Sequence, residues 1–240
     1  MECGEFDKRN REYYQNFSKA EYFERLLAGN AGIYSDVKSR DPLILDVGAH
    51  KGESAEFFCS LFPKAEIHSF EPNPLLAKHI RSLNLSNHTV VNCALSNEDG
   101  TTTFNIQDLS HLSSIHKVNR DSEQSISYHL REQHQTINVE TKRGDTYLKD
   151  SDIEFVDLLK MDVQAHEVQA LEGFRKCLDR IGALLVEVSF YDFYENKSSI
   201  RRLENQIPAF ELYDIYEVSK NPKTLGTDWA TFVYHNTELD

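Results

Sequence analysis

Acidic residues follow two apolar runs in the first third of the chain, in a pattern suited to binding a nucleoside. Asp46 stands in the run LILDV just before a turn that contains Gly48 and Gly52, and Glu71 follows the run EIHSF. A carboxylate at the end of the second strand can accept hydrogen bonds from both hydroxyls of a ribose. The two glycines would let the backbone approach a ligand without a Cβ clash.

The turn DVGAHKG differs from the dinucleotide-binding pattern G-x-G-x-x-G. The carboxylate of Asp46 would also lie near the place that a phosphate occupies in such a site. Both features favour a cationic or neutral ligand. S-adenosylmethionine carries an ammonium, a sulfonium and a ribose diol but no phosphate, and we therefore predict it as the cofactor. The alternatives are a turn cap at Asp46 and a solvated strand end at Glu71.

A second group of reactive side chains follows the apolar runs EFVDLLKM and ALLVEV. Lys160, Asp162, His166 and Glu167 belong to the first of these segments, and Glu187 belongs to the second. Asp162 is the first candidate for contact with the acceptor or the cofactor ammonium. His166 is the candidate general base, because its unperturbed pKa lies near neutrality. Lys160 could instead form a structural ion pair with Glu187 or Asp162, and His166 could bond locally at a helix start.

Short apolar runs alternate with helix-like segments from residue 42 onward. The runs LILDVG, AEIHSFEP, HTVVNCAL, EFVDLLKMDV and ALLVEVSF predict five main strands. Such alternation indicates an α/β fold with a doubly wound, mostly parallel sheet. GTTTFNI and INVETKRGDTY look extended and antiparallel, and FELYDIYEV and WATFVYH predict a C-terminal antiparallel hairpin at one sheet edge.

The remaining segments suggest a division of the chain and a cover over the site. Residues 1–40 are predicted as an N-terminal helical extension, and residues 41–240 as the cofactor-binding domain. The polar stretch 107–135 is long for a plain loop, and it could be a lid, a substrate wall or a flexible surface loop. Tyr191 and Tyr194 could form an aromatic wall or simply pack in the core.

Composition limits the partners. The chain has 240 residues, a net charge of -13 and a pI near 5.2, which argues against binding to a phosphate backbone. No window approaches the ~20 apolar residues of a membrane-spanning helix. The four cysteines lack the spacing of a zinc site, and the N-terminus lacks a signal-peptide core. We therefore expect no nucleic-acid or membrane partner, and a cytoplasmic location.

With these motifs in view, the sequence resembles the FkbM family of S-adenosylmethionine-dependent methyltransferases. The resemblance runs over about residues 42–235, and its most specific part is K-x-D-V-x-x-H-E at 160–167. It implies a seven-stranded class I methyltransferase-like Rossmann fold. The family usually has Asn in place of His50 and Gly in place of Ala165. Ser113 and Ser114 fall where the family often has serines, so they could contact the acceptor.

The resemblance also implies roles for individual residues. The methionine portion of the cofactor would be lined by the first turn, and the ribose would be bound at the end of the second strand. The adenine would lie beside the residues after the third strand. The cofactor-binding residues expected on this basis are Asp46, Gly48, Ala49, Gly52, Glu71, Pro72, Asn92, Ala94 and Leu95.

The predicted reaction is methyl transfer to a hydroxyl oxygen of a small molecule or glycan, with Asp162, His166 and Glu187 as catalytic residues. Asp162, Glu167 and Glu187 could also bind Mg²⁺, which would lower the pKa of the acceptor hydroxyl. The metal, the acceptor and the oligomeric state stay open. The alternatives are an NAD-dependent oxidoreductase on a similar sheet and a non-catalytic S-adenosylmethionine-binding protein.

Overall fold

The computed structural model describes residues 18–28, 41–107, 109–119, 135–190, 192–195, 199–221 and 225–239. The chain divides into two compact units, Met1–Asp41 and Pro42–Asp240. In the first unit, helix α1 spans Lys19–Ala28. Ser18 caps it, because its Oγ accepts from the Glu21 backbone N–H while Glu21 Oε2 accepts from the Ser18 N–H. The rest of the predicted N-terminal helical extension lies outside the described residues.

The second unit contains ten strands and five helices within the residues that the structure describes. The strands are β1 Leu43–Val47, β2 Glu66–Phe70, β3 His88–Val91, β4 Ala94–Leu95, β5 Gly100–Ile106, β6 Gln135–Lys142, β7 Val156–Met161, β8 Ile181–Ser189, β9 Phe210–Lys220 and β10 Thr227–Asn236. The helices are α2 Glu53–Leu61, α3 Pro74–Ser82, α4 Gly144–Asp150, α5 Glu167–Gly173 and α6 Ile200–Glu204. Among these helices and α1, none is long and apolar enough to cross a membrane.

The main sheet has seven strands in the order β3-β2-β1-β7-β8-β10-β9. The first five of these strands pair in parallel, whereas β10 runs antiparallel to both β8 and β9. This confirms the predicted α/β class, the seven strands and the antiparallel C-terminal hairpin at one edge. The switch point of the topology lies between β1 and β7, which is where open α/β sheets bind ligands.

The core lies on the central strands, as their continuous apolar runs predict. Leu45, Leu159 and Val186 have almost no exposed surface, and they belong to one large buried cluster with residues from α5 and β10. Strands that are buried on both faces read as unbroken hydrophobic runs. Their carboxyl ends therefore occupy fixed positions along one edge of the sheet.

Three predicted elements differ from those observed. The segment HTVVNCAL is two strands, because the chain turns at Cys93, whose N–H donates to Val91 O, and β4 then joins a second sheet of order β4-β6-β5. The end of INVETKRGDTY is helix α4 rather than strand, and it buries Tyr147 and Leu148. The helix predicted over HEVQALEGFRKCLDR ends at Gly173, where a Cβ would lie 2.2 Å from Ser96 O.

Candidate active site

The loop after β1 (residues 48–52, the β1 loop) is a tight turn that is held by backbone contacts. Gly48 and Ala49 both donate their N–H groups to Phe70 O at the end of β2. Gly48 has φ +82°, and a Cβ there would lie 1.8 Å from the backbone oxygen of Asp162. The glycine is therefore required by the protein's own neighbouring loop. Gly52 has φ +93° and is the N-cap of α2, and a Cβ there would lie 2.8 Å from Leu83 Cδ1 and 3.4 Å from Ile80 Cγ2.

Glu71 is fixed beside this loop at the carboxyl end of β2. It is 5% exposed, and its two carboxylate oxygens accept from the backbone N–H groups of His50 and Asn73, at 2.9 and 2.8 Å. Burial raises the pKa of Glu71 to about 7, although the two backbone hydrogen bonds oppose the shift. Each oxygen keeps a further lone pair, so the side chain can still accept hydrogen bonds from a ligand.

The residues predicted to border the adenine lie after β3. Asn92 Nδ2 donates to the backbone oxygens of Glu71 and Pro72, at 2.8 and 3.0 Å. Ala94 and Leu95 are buried in β4, which pairs with β6 of the second sheet. Asn92 thus ties the end of β3 to the end of β2, and the chain leaves the main sheet directly after it.

Asp46 forms a buried ion pair across two strands. Asp46 is 0% exposed, and Lys160 Nζ donates to its Oδ1 at 2.8 Å. The sequence left open an ion pair of Lys160 with Glu187 or Asp162. The partner is instead Asp46, because β7 lies beside β1 with these two residues in register. Burial would lower the pKa of Lys160, but the charges of Asp46, Asp162 and Glu187 raise it, so the ammonium is retained.

The loop after β7 (residues 162–166, the β7 loop) brings two further carboxyl groups together. Gln164 Nε2 lies 2.6 Å from Asp162 Oδ1 and 3.4 Å from Glu187 Oε1. Burial raises the pKa of Glu187, and the charges of Asp162 and Glu167 raise it further. A carboxyl group with a raised pKa beside a second acid is suited to proton transfer near neutral pH.

His166 has a different environment from the one predicted for a general base. Its Nε2 lies 3.0 Å from Ser96 Oγ, and its Nδ1 lies 3.2 Å from His116 Nε2. Burial lowers the pKa of His166 to about 3, with a further contribution from His116. Both ring nitrogens are engaged within the protein, which favours a role in holding the surrounding loops over a role in proton transfer.

Residues 109–119 (the cover segment) contact the β1 loop, the β7 loop and the segment that follows β8. His50 Nε2 lies 2.7 Å from Ser110 Oγ, and Ser114 Oγ donates to Gln164 O at 2.6 Å. Tyr194, which follows β8, donates to Leu112 O. Ser114 is thus buried in a contact within the protein. The rest of the polar stretch 107–135, apart from Gln107 and Gln135, lies outside the described residues, as does Tyr191.

The two departures from the family pattern both occur at left-handed backbone positions. His50 has φ +53° and Ala165 has φ +78°. Asn and Gly, the residues expected there from the resemblance, adopt this conformation more readily than most others. Contacts hold both residues in this conformation: His50 Nε2 lies 2.7 Å from Ser110 Oγ, and the Ala165 N–H donates to Glu167 Oε1 at 3.0 Å.

A metal centre is not evident in the ranges that the structure describes. Within them, no group of three or more His, Cys, Asp or Glu side chains is arranged to hold a metal ion. Of the three acids proposed as Mg²⁺ ligands, Asp162 bonds to Gln164 and Glu167 bonds to the Ala165 N–H. Among the described residues, these acids are therefore not arranged as a preformed Mg²⁺ site.

At this edge of a doubly wound sheet, the β1 loop and Glu71 lie at the ends of β1 and β2, and the acids Asp162 and Glu187 lie at the ends of β7 and β8. Sequence reasoning missed Gln164, which connects that pair. Its only signal was its place between Asp162 and His166 in the motif KMDVQAHE.

Comparison with known proteins places the chain in a family. The Methyltransferase FkbM domain matches residues 46–214, which is more than half of the chain. The protein belongs to the FkbM methyltransferase family, as the resemblance predicted. The match begins at Asp46 and includes both the β1 loop and the β7 loop.

Two curated relatives and one solved structure are similar to it. The 2-O-methyltransferase NoeI of Sinorhizobium fredii is 28% identical over 186 residues, 75% of this chain and 76% of that protein. The hexuronic acid methyltransferase AglP of Haloferax volcanii is 24% identical over 151 residues, 62% of this chain and 56% of that protein. The structure of N-methyltransferase NodS from Bradyrhizobium japonicum WM9 aligns at 10% identity and a TM-score of 0.47, over 91% of this chain and 94% of that one.

Proposed function

We propose that the protein transfers a methyl group from S-adenosylmethionine to a hydroxyl oxygen of a neutral sugar. The observation that carries this proposal is the buried Glu71 carboxylate, which two backbone N–H groups hold at the end of β2 in a member of a methyltransferase family. Family membership removes the reason for the NAD-dependent alternative.

The residues at the first two strand ends fit the cofactor by their chemistry. Glu71 offers acceptor lone pairs to a ribose diol, and the β1 loop offers a backbone surface at Gly48, Ala49 and Gly52. Asn92 and Pro72 would flank the adenine, together with Ala94 and Leu95. Because Asp46 has no exposed surface and binds Lys160, we assign it to holding β1 against β7 beneath the methionine portion.

When bound, S-adenosylmethionine supplies a methyl group that its sulfonium makes electrophilic. The protein's own tasks are to orient the acceptor hydroxyl and to accept its proton. We assign the orientation of the hydroxyl to Glu187 and the acceptance of its proton to Asp162, because burial and neighbouring acids raise the pKa of Glu187 and favour its protonated form. The two carboxyl groups share the amide of Gln164. His166 keeps only a supporting role in this proposal, since its pKa is lowered to about 3.

The acceptor is assigned from the names of the relatives and from the charge of the site. NoeI is named as a 2-O-methyltransferase, and AglP as a methyltransferase of a hexuronic acid. The acceptor side of this site carries the charges of Asp162 and Glu167, which raise the pKa of Glu187, while Lys160 is bound to Asp46. A carboxylate on the acceptor would be repelled by Asp162 and Glu167, so a neutral sugar is favoured.

The cofactor assignment is tested by calorimetry with S-adenosylmethionine and S-adenosylhomocysteine. Loss of a charge-assisted hydrogen bond in Glu71→Ala should weaken binding by about 1.5–3 kcal/mol. NAD serves as the contrasting ligand and should not bind. Unchanged affinity in Glu71→Ala would show that the ribose site is elsewhere.

The acceptor assignment is tested with matched pairs of methyl glycosides that differ only in a hydroxymethyl or a carboxylate group. Methyl transfer, followed by mass spectrometry, should favour the neutral member of each pair. A preference for the uronate would overturn the neutral assignment.

The same assay in excess EDTA tests whether the reaction requires Mg²⁺. Full turnover would exclude a Mg²⁺ requirement, whereas a loss of activity that added Mg²⁺ restores would support one.

A further inference from the structure

Gln164 adopts a backbone conformation that its residue type disfavours. Its φ is +52°, and that of the next residue, Ala165, is +78°. A non-glycine residue in this region costs about 1 kcal/mol or more, and such strain persists only where the surrounding contacts fix it. One of those contacts is the hydrogen bond from Ser114 Oγ to Gln164 O, at 2.6 Å.

Both the nitrogen and the oxygen of the Gln164 side-chain amide form hydrogen bonds within the site. Its Nε2 donates to Asp162 Oδ1 at 2.6 Å and lies 3.4 Å from Glu187 Oε1. Its Oε1 accepts from the hydroxyl of Tyr194 at 2.9 Å. That hydroxyl also lies 2.9 Å from Leu112 O, so its single proton is shared between two acceptors. The amide orientation follows, because only its nitrogen can face two carboxyl groups.

Two acids from neighbouring parallel strands would repel each other without such a bridge. Asp162 follows β7 and Glu187 lies in β8, so no local sequence contact fixes their separation. An amide that donates to both acids favours one arrangement of the pair. Tyr194 is buried and in turn fixes the amide.

We propose that Gln164 is a positioning residue that holds the carboxyl groups of Asp162 and Glu187 at the acceptor hydroxyl, with Tyr194 fixing the orientation of its amide. This inference rests on the proposed function, because it assigns those two acids to the acceptor.

The test is a double-mutant cycle on the full chain, measured as steady-state methyl transfer to the best neutral acceptor. Gln164→Met keeps the length of the side chain but removes the amide, and it should lower kcat about 10- to 100-fold. KM for the acceptor and Kd for S-adenosylmethionine should stay within about threefold. Tyr194→Phe should lower kcat about three- to tenfold, and it should have no further effect when Gln164→Met is already present.

Gln206→Met, in the partly exposed turn after α6, is the matched control and should leave kcat unchanged. Full kcat in Gln164→Met, or equal effects of Tyr194→Phe in both backgrounds, would overturn the inference. If Gln164→Met fails to fold, Gln164→Asn takes its place: its shorter amide cannot span the two acids and should give the same loss. If the wild type binds S-adenosylmethionine but methylates no acceptor, both the proposed function and this inference are overturned. If the wild type and Gln164→Met are both fully active, only this inference is overturned.

Discussion

The β1 loop and the β7 loop lie side by side and both contain left-handed residues, but they achieve this conformation in different ways. In the β1 loop, glycine stands at two of the three left-handed positions, 48 and 52, beside His50, and the N–H groups of Gly48 and Ala49 hold the loop on the end of β2. The β7 loop contains no glycine: its left-handed residues are Gln164 and Ala165, and the Gln164 side chain donates to Asp162. A backbone surface suits a constant cofactor, and a cluster of side chains suits a specific acceptor. The two loops also differ in tolerance to substitution.

The largest expected effect is at Gly48, where the β1 loop meets the β7 loop. Gly48→Ala places a Cβ 1.8 Å from Asp162 O in a residue with φ +82°. A backbone atom cannot move aside as a side chain can, so we expect a loss of about 4 kcal/mol or more in the free energy of unfolding, or no soluble protein. Chemical denaturation measures this.

Gly52→Ala is the graded control for that prediction. Its Cβ would meet Leu83 Cδ1 at 2.8 Å, and this contact is with the end of a flexible side chain. The loss of stability should therefore be clearly smaller than for Gly48→Ala. Equal losses would mean that positive φ alone, and not the approach of the β7 loop, requires both glycines.

The next largest effect is expected for the buried ion pair between Asp46 in β1 and Lys160 in β7. Lys160→Met leaves the Asp46 carboxylate buried without its partner, and it should cost about 3–5 kcal/mol in the free energy of unfolding. Adding Asp46→Asn should restore part of this loss, because the unpaired charge is removed. Asp150→Asn, which breaks the exposed Lys142–Asp150 pair of 2.7 Å, should cost less than about 1 kcal/mol. Equal costs for the two pairs would argue against the burial effect.

A third prediction uses the pH dependence of Glu71, which contacts the β1 loop. Since burial raises its pKa to about 7, the side chain is mostly ionised at pH 8 and mostly protonated at pH 6. If the ionised form binds the ribose, Kd for S-adenosylmethionine should be about tenfold weaker at pH 6 than at pH 8. Calorimetry on Glu71→Gln over the same range corrects for the titration of the ligand itself. The same pH dependence in both proteins would exclude Glu71 as its source.

The smallest effect is expected at Ala165 in the β7 loop. Ala165→Gly relieves a φ of +78° but removes a buried methyl group that packs in a cluster with Phe193 and Tyr194. The relief of about 1 kcal/mol and the lost burial of about 0.8 kcal/mol nearly offset each other, so stability should change by less than about 1 kcal/mol. A large loss on denaturation would show that the methyl group, and not only the backbone, is required in this loop.

Much of the fold could be read from local patterns. The apolar runs predicted the main strands, because strands buried on both faces have few polar positions to interrupt them. The segment HTVVNCAL was misjudged because its apolar pattern continues where the chain leaves the sheet. The turn at Cys93 is accompanied by a contact from Asn92 to the end of β2, which no local pattern reveals.

The sequence by itself determined where acids and glycines stand relative to the strand ends, since that depends only on neighbours along the chain. The tertiary structure alone decided which of them meet. Asp46 and Lys160 lie 114 positions apart, and they pair because β7 is inserted beside β1. The pKa of His166 is lowered because folding buries it next to His116. Such pairings depend on strand order and burial, which arise only when distant segments pack together.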